Sequence, residues 1–317
     1  MSKYKEIDLQ GQKKYSLKER ESKVNERLFY KTGEQGTISG LLNSLPDILQ
    51  ASEFKELIDR TYQAVKDDKP VITALGGHVI KCGLSPLLIE MMELGVIKCL
   101  AGNGSVVIHD FEIALTGQTS EDVQKALEDG TFGMARETGD QINRAIIEAS
   151  SEQLGYGEGI GRYIEAANPP YRQLSLLAAA YRKEIPFTLH VAMGTDIVHQ
   201  HDSADGAAIG DCSLRDFRIF AEQLKGLNGG GVFLNFGSAV IMPEVFLKAV
   251  TVVRNLGFPL EGFYTAVFDM NSHYRPRVNI VERPTGNSGK GYYFVGHHEI
   301  LIPLFFGALK ERLMKDA

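Results

Sequence analysis

The sequence PVITALGGHVIKCGLSPLLIEMMELGVIKCLAGNGSVVIHDFEIALTG fills Pro70–Gly117 and repeats one pattern twice. A short apolar run, first Val71–Leu75 and then Val96–Leu100, ends near glycine and passes into residues with helical apolar spacing. Continuous apolar runs of this length are typical of strands that are buried on both faces. The segment therefore predicts two parallel strands, each joined through a glycine turn to a helix.

The same pattern recurs three times further along the chain. Pro186–Met193 runs into Gly194-Thr195-Asp196, Gly231–Leu234 runs into Asn235-Phe236-Gly237-Ser238, and Gly262–Phe268 ends at Asp269. Helical spacing also covers residues 41–66, before the first strand. We predict an α/β fold, a Rossmann-like doubly wound parallel sheet with an N-terminal helical extension. Because no sharp change in composition divides the body, we predict an N-terminal arm over 1–40 and a single domain over 41–317.

Composition narrows the class of protein. The 317 residues are 44% hydrophobic and 23% charged, which is ordinary for a globular domain. A net charge of −6 argues against a nucleic-acid partner, and no apolar run is long enough to span a membrane. The charged N-terminus has no apolar stretch, and the three cysteines lack a CxxC spacing, so we expect no signal peptide and a reducing cytoplasm.

The glycines at the predicted strand ends indicate where a ligand would bind. Ligands of open parallel sheets settle outside the carboxyl ends of the strands, where glycine lets backbone N–H groups approach a phosphate. Four such ends favour a nucleotide or dinucleotide site, although tight strand-to-helix turns need glycine for purely architectural reasons. No GxGxxG lies in a strand-to-helix turn, so the ordinary Rossmann fingerprint is absent.

A lysine near the C-terminus lies in a glycine-rich stretch. The segment Gly286–Gly291 is not a phosphate loop, because Pro284 occupies the place of the first glycine and Gly291 that of the Ser/Thr. We interpret the segment as a flexible loop. Its Lys290 is either a solvated side chain or an amine for proton transfer or imine chemistry.

Histidines and aspartates supply the other candidate groups. His109-Asp110 follows a predicted strand end closely enough to face a ligand, although capping and packing would also explain the pair. Asp196 and Asp269 both follow a strand, where they would bind ribose hydroxyls or an amine, or cap a turn.

Paired histidines raise the question of a metal. Candidate metal ligands are His199 and His201, together with His297 or His298. The side chains of adjacent histidines point apart in regular structure, however, and a catalytic metal needs a third ligand from elsewhere in the chain. We therefore predict no metal site. A metal-dependent hydrolase that uses His199 and His201 is kept as an alternative function.

The opening segment resembles the corresponding region of deoxyhypusine synthases and their archaeal and bacterial relatives. The resemblance continues more faintly through PFTLHVAMGTDI, LNGGGVFLNFGSAV, YTAVFD and ILIPLFFGAL, and covers about Glu53 to Leu309. Members of that family have a Rossmann-like fold, form homotetramers and bind NAD at subunit interfaces. They oxidise spermidine, hold its aminobutyl group on a lysine as an imine, and pass it to a lysine of a translation factor.

The resemblance implies a set of site residues. The implied NAD contacts are Gly77, His78, Gly102, Asn103, Gly104, Asp110, Gly237, Ser238, Thr265, Ala266 and Asp269. In an enzyme of this type, His109 or His78 would be the acid or base, Asp196 or Asp269 would anchor a cationic amine, and Lys290 is the conditional imine former. The family's imine-forming lysine aligns near Pro284-Thr285, a few positions before Lys290, and the tryptophan of its spermidine pocket has no counterpart because this chain contains none.

The resemblance implies a cytoplasmic, homotetrameric NAD-dependent enzyme that oxidises an amine and transfers an aminoalkyl group. The expected partners are a small-molecule amine and other copies of the chain, with no nucleic acid and no membrane. A non-catalytic, nucleotide-binding relative is the first alternative, and the metal-dependent hydrolase is the second.

Overall fold

A computed structural model describes residues 2–21, 23–33, 36–286 and 288–315. The strands are β1 (Val71–Leu75), β2 (Ile97–Asn103), β3 (Phe187–His190), β4 (Val232–Phe236), β5 (Tyr264–Asp269) and β6 (Lys290–Val295). They form one sheet in the order β3-β2-β1-β4-β5-β6, and every neighbouring pair is parallel. This is the doubly wound order of a Rossmann-like fold, so the predicted fold class is confirmed.

Helices connect the strands. They are α1 (Ile38–Ser44), α2 (Leu49–Lys66), α3 (Gly77–Lys81), α4 (Ser85–Glu93), α5 (Gly104–Thr116), α6 (Val123–Asp129), α7 (Arg136–Ser151), α8 (Tyr156–Ala167), α9 (Leu176–Arg182), α10 (Gly206–Leu224), α11 (Ile241–Asn255), α12 (Tyr274–Pro276) and α13 (His298–Lys315). A π-helical stretch, Arg277–Glu282, continues α12. None of the described helices is long and apolar enough to cross a membrane.

The sheet separates two hydrophobic cores. Along β1, Val71 and Leu75 face one core, whereas Ile72 and Ala74 face the other. The first core contains side chains from α2, α4, α5, α7, α8, α9 and α13, and the second is formed mainly with α10 and α11. Burial on both faces explains why the strands are continuous apolar runs.

Two features of the sequence concealed regular structure. The loop predicted around Lys290 is instead the start of edge strand β6, and α8 was not predicted. In both places the glycines allow close backbone packing: a Cβ on Gly291 would lie 2.2 Å from the Val281 carbonyl oxygen, and one on Gly157 would lie 1.7 Å from that of Phe187. Glycine was therefore a poor sign of a loop in this chain.

The N-terminal segment differs from the body. Its described residues up to 33 are almost all exposed and contain two short 3₁₀ turns, Leu17–Glu19 and Glu26–Leu28. It joins the body through backbone hydrogen bonds from Lys31 to Ser44 (2.9 Å) and from Asp47 to Leu28 (3.0 Å). Residues 1, 22, 34 and 35 of the predicted arm, and 287, 316 and 317 of the predicted domain, lie outside the described residues.

Candidate functional site

The carboxyl ends of all six strands form one edge of the sheet, which we call the carboxyl edge. It gathers the turn at Gly76–His78, the start of α5 at Gly104, the segment around Asp196, Gly237-Ser238 and Asp269. The strand order reverses between β1 and β4, so the topological switch point lies between Gly76 and Gly237. Most of the predicted site residues therefore share one edge.

Protein backbone fills the switch point itself. The Gly76 N–H donates to the Phe236 carbonyl at 2.9 Å, and a Cβ on Gly76 would lie 2.5 Å from the Gly237 oxygen. Gly237 has φ +70°, and a Cβ there would lie 2.7 Å from Cε1 of His298. These two glycines are needed because two turns and a histidine ring pack against each other.

A carboxylate occupies the start of α5. A Cβ on Gly104 would lie 1.9 Å from Oδ2 of Asp196, so that carboxylate lies against the first residue of the helix. The Asp196 side chain is only 9% exposed, and burial raises its pKa to about 6. The partial positive charge at the N-terminus of α5, which was expected to attract a phosphate, therefore already faces the Asp196 carboxylate.

His199 lies beneath Asp196. Its Nδ1 accepts hydrogen bonds from the backbone N–H groups of Gly194 (3.1 Å) and Asp196 (3.3 Å). Its Nε2 is buried, has no hydrogen-bond partner among the described residues, and lies 3.9 Å from Oδ2 of Asp196. Burial lowers the pKa of His199, so the imidazole is neutral at pH 7.

A cavity of about 470 Å³ opens beside the start of α5. Its polar lining includes Lys81, Ser105, His109, Glu112, Thr119 and Asp196. His109 Nδ1 lies 2.7 Å from Thr119 Oγ1, which donates to Glu112 at 2.5 Å. The cavity thus holds two of the three predicted catalytic residues, His109 and Asp196.

In the β4–β6 half of the edge, several buried polar atoms have no hydrogen-bond partner among the residues that the structure describes. They are Oδ1 of Asn235, Oδ2 of Asp269 and Nδ1 of His298. The other Asp269 oxygen accepts from the Asn271 N–H at 3.2 Å, and Nε2 of His298 lies 3.1 Å from the Phe268 carbonyl. The exposed ring of His78 lies 5.6 Å from that of His298. Buried polar atoms without partners are rare and often mark a site for water, an ion or a ligand.

Lys290 lies away from this edge. It is the first residue of β6, at the opposite, amino edge of the parallel sheet, and its Nζ binds Glu56 at 2.5 Å. A strand of this length spans about 15–20 Å. The structure therefore does not bring Lys290 to His109 and Asp196.

Three of the implied NAD contacts are buried, and two of them form hydrogen bonds within the protein. Asp110 is fully buried and accepts from Ser175 Oγ and from the N–H groups of Leu176 and Leu177, so it caps α9. Thr265 donates to the Ile280 carbonyl at 2.8 Å, and Ala266 is buried within β5. Gly102 lies one residue before the carboxyl end of β2, and it is buried as well.

The histidines considered for a metal do not come together. His201 Nε2 pairs with the Gly133 carbonyl at 2.9 Å, and His199 accepts backbone N–H groups. Among the residues that the structure describes, no group of three His, Cys, Asp or Glu is placed to hold a metal ion. The metal-dependent hydrolase kept as an alternative therefore has no set of metal ligands among the described residues.

Sequence reasoning missed three members of the His109 cluster: Glu112, Thr119 and Thr138. Glu112 lies one helical turn after His109, so its spacing could have identified it. Thr119 follows the left-handed Gly117 (φ +72°) that ends α5, and Thr138 comes from α7 and donates to Glu112 at 3.0 Å. No sequence pattern relates either threonine to His109.

Comparisons with known proteins support the fold. No known protein family and no curated protein matches the sequence. AgrE crystallised with ornithine and NAD⁺ is 14% identical with a TM-score of 0.53, over 84% of this chain and 34% of AgrE. A putative deoxyhypusine synthase from Entamoeba histolytica is 10% identical with a TM-score of 0.52, over 86% and 92% of the two chains.

A third solved structure, a conserved putative LOR/SDH protein from Methanococcus maripaludis S2, is 15% identical with a TM-score of 0.50, over 93% of this chain and 75% of that one. The chain spans about a third of the length of AgrE. At these identities the likeness shows a deoxyhypusine synthase-like fold, as the sequence predicted, and leaves the family open.

Proposed function

We propose that the protein is an NAD-dependent enzyme that oxidises an amine at the carboxyl edge of its sheet. The observation that carries the proposal is the set of unpartnered buried polar atoms on Asn235, Asp269 and His298, beside the switch point of a doubly wound sheet. AgrE, which shares the fold, was crystallised with ornithine and NAD⁺. The proposal extends that pairing of amine and cofactor to this chain.

The residues present fit a dinucleotide on one half of the edge. Asp196 covers the start of α5, so we place the dinucleotide over β1, β4 and β5, near His78, Gly237-Ser238 and Asp269. The free oxygen of Asp269 suits a ribose hydroxyl, and Nδ1 of His298 suits a further polar group of the ligand. Bound NAD⁺ would supply a hydride acceptor.

The cavity beside α5 would hold the amine. Asp196 and Glu112 provide carboxylates that attract a cation, and the half-buried His109 can move a proton. Lys81 also lines the cavity and limits its negative charge.

Oxidation is the supported part of the predicted chemistry. Transfer of an aminoalkyl group would need a different side-chain amine to form the imine, because Lys290 lies at the opposite edge of the sheet. We include the homotetramer as part of the proposal, on the resemblance alone; sedimentation of the purified chain tests it.

Isothermal titration with NAD⁺ tests the dinucleotide site. We expect saturable binding that Asp269→Ala weakens at least tenfold, because that change removes the proposed ribose acceptor, whereas Asp202→Ala at an exposed position leaves it unchanged. No heat at millimolar NAD⁺ would refute the proposal.

Absorbance of NADH then tests turnover with ornithine, spermidine and putrescine. The displaced Lys290 is the specific observation that favours a second candidate, a nucleotide-binding relative without catalysis. Binding of NAD⁺ without reduction by any of these amines would support that candidate.

A further inference from the structure

A continuous hydrogen-bonded chain links His109 to Thr119 and Glu112, which line the same cavity beside α5, and then to Thr138. Nδ1 of His109 lies 2.7 Å from Thr119 Oγ1, and Thr119 Oγ1 donates to Glu112 Oε2 at 2.5 Å. The second Glu112 oxygen accepts from Thr138 Oγ1 at 3.0 Å, and Thr138 is buried. The carboxylate is therefore held from both sides and cannot rotate freely.

Counting protons fixes the tautomer of the imidazole. An ionised carboxylate only accepts hydrogen bonds, and a threonine hydroxyl has a single proton to donate. Since Thr119 gives that proton to Glu112, its oxygen must accept from Nδ1–H of His109. Nε2 is then the unprotonated nitrogen, with a lone pair free to accept a proton.

The free nitrogen lies on the side of the ring that faces the β1–α3 turn. A Cβ on Gly77 would lie 3.0 Å from Cδ2 of His109, the carbon bonded to Nε2. No described residue forms a hydrogen bond with Nε2. The lone pair therefore remains available beside the turn where a cofactor is proposed.

We propose that Thr119 and Glu112 are positioning residues that hold His109 as the Nδ1–H tautomer, making its Nε2 the proton acceptor of the oxidation. This inference rests on the proposed function for its chemistry, but the tautomer is a property of the protein alone. As the amine is oxidised, Nε2 takes the proton from its N–H bond. The electron pair of that bond would form the second bond of C=N, and bound NAD⁺ would accept the hydride that leaves carbon.

Surrounding charges are consistent with a neutral base. Burial lowers the pKa of His109, Glu112 opposes that effect, and Lys81 and His78 on α3 lower the pKa further. The titratable groups that face the ring or share its cavity are Lys81, His78, Glu112, Glu121 and Asp196. At pH 7 the imidazole is thus uncharged and able to accept a proton.

Nitrogen-15 NMR of the histidine-labelled protein without ligands tests the tautomer directly. His109→Gln identifies the His109 signals. We expect Nδ1 to carry the proton at pH 8 in the wild type and in Thr119→Ser, and the Nε2–H form to gain population in Thr119→Val. Thr251→Val, which removes an exposed hydroxyl bonded only to its own helix, is the matched control. An Nε2–H signal in the wild type would overturn the inference.

Kinetics separate positioning from a structural defect. With an amine that is turned over, Thr119→Val should lower kcat about tenfold or more with little change in KM, and Thr119→Ser should restore it. Glu112→Gln removes the charge that raises the pKa of His109, so the acid limb of the kcat/KM profile should move about 0.5–1 pH unit lower. An unmoved acid limb would contradict the role of Glu112.

The two proposals fail in different ways. If NAD⁺ does not bind but the wild type shows Nδ1–H, the proposed function is wrong and the positioning of His109 stands. If NAD⁺ binds and the tautomer does not depend on Thr119, the dinucleotide site stands and the positioning role is wrong.

Discussion

Replacing Asp196 with asparagine should make the protein more stable at neutral pH. The carboxylate is 9% exposed and lies against Gly104, and burial raises its pKa from 3.8 to about 6. A pKa raised by this amount means that the ionised carboxylate lowers the free energy of unfolding by about 3 kcal/mol. The N-terminus of α5 stabilises the ionised carboxylate by about 0.3–1 kcal/mol. We therefore expect Asp196→Asn to raise the free energy of unfolding by about 2 kcal/mol.

The sign of the pH dependence follows from the raised pKa. Between pH 3.8 and about 6 the folded state binds a proton that the unfolded state has released, so wild-type stability falls as the pH rises through this window. The advantage of Asp196→Asn should therefore be small near pH 4, grow up to about pH 6, and remain constant above it. Asparagine has no titrating group, so the other buried carboxylates cancel in the comparison.

Urea unfolding at pH 4.5, 5.5 and 7.5 measures this difference, and about 2 kcal/mol corresponds to a Tm increase of about 3 °C for a chain of this length. Asp202→Asn is the control, because Asp202 is exposed. A difference that is equal at all three pH values, or a less stable Asp196→Asn at pH 7.5, would refute the reasoning. We also expect this variant to bind amines more weakly, since a destabilising charge at a cavity is typical of a functional group.

Three further variants test other parts of the structure. Gly237→Ala should lower the unfolding free energy by about 1–3 kcal/mol in thermal denaturation, because its φ of +70° and the adjacent His298 ring leave no room for a Cβ. Asp110→Ala should cost about 1–3 kcal/mol, measured by urea unfolding, because the Leu176 and Leu177 N–H groups at the start of α9 lose their acceptor, while NAD⁺ affinity stays unchanged. Lys290→Ala should leave amine oxidation unchanged and alter stability by less than about 1 kcal/mol, because its partially exposed ion pair with Glu56 lies at the amino edge; a loss of kcat would show that it reaches the site.

The sheet was predictable because burial on both faces leaves a simple signature. Five of its six strands are apolar runs that the sequence marks clearly, with boundaries that differ by a few residues; Val71–Leu75 agrees fully. The sixth, Lys290–Val295, begins with a lysine and a glycine at the sheet edge, where one side has no neighbouring strand and the apolar signal is short. The other edge strand, β3, was predicted because it is a continuous apolar run, so the local pattern depends on the apolar run rather than on the position of the strand in the sheet.

The site was predictable only in outline. That His109 and Asp196 lie at the same edge follows from parallel strands, but the distance from His109 to Thr119 depends on how the chain returns after Gly117. The partners of Asp110 likewise come from α9, more than sixty positions along the chain. Such contacts depend on tertiary packing, which a single sequence does not reveal.

At the carboxyl edge, the polar side chains indicate a ligand site more strongly than the glycines do, contrary to what the sequence suggested. Gly76, Gly104 and Gly237 are needed where the protein packs against itself, so they do not by themselves indicate a phosphate. The stronger sign of a ligand is energetic: each buried polar atom without a partner costs about 1–3 kcal/mol. Asp269 and His298 both carry such an atom at the same edge, and a polar ligand that pairs with them would remove this cost. These unpartnered atoms favour placing the dinucleotide over the β4–β6 half of the sheet, which leaves the cavity beside α5 for the amine.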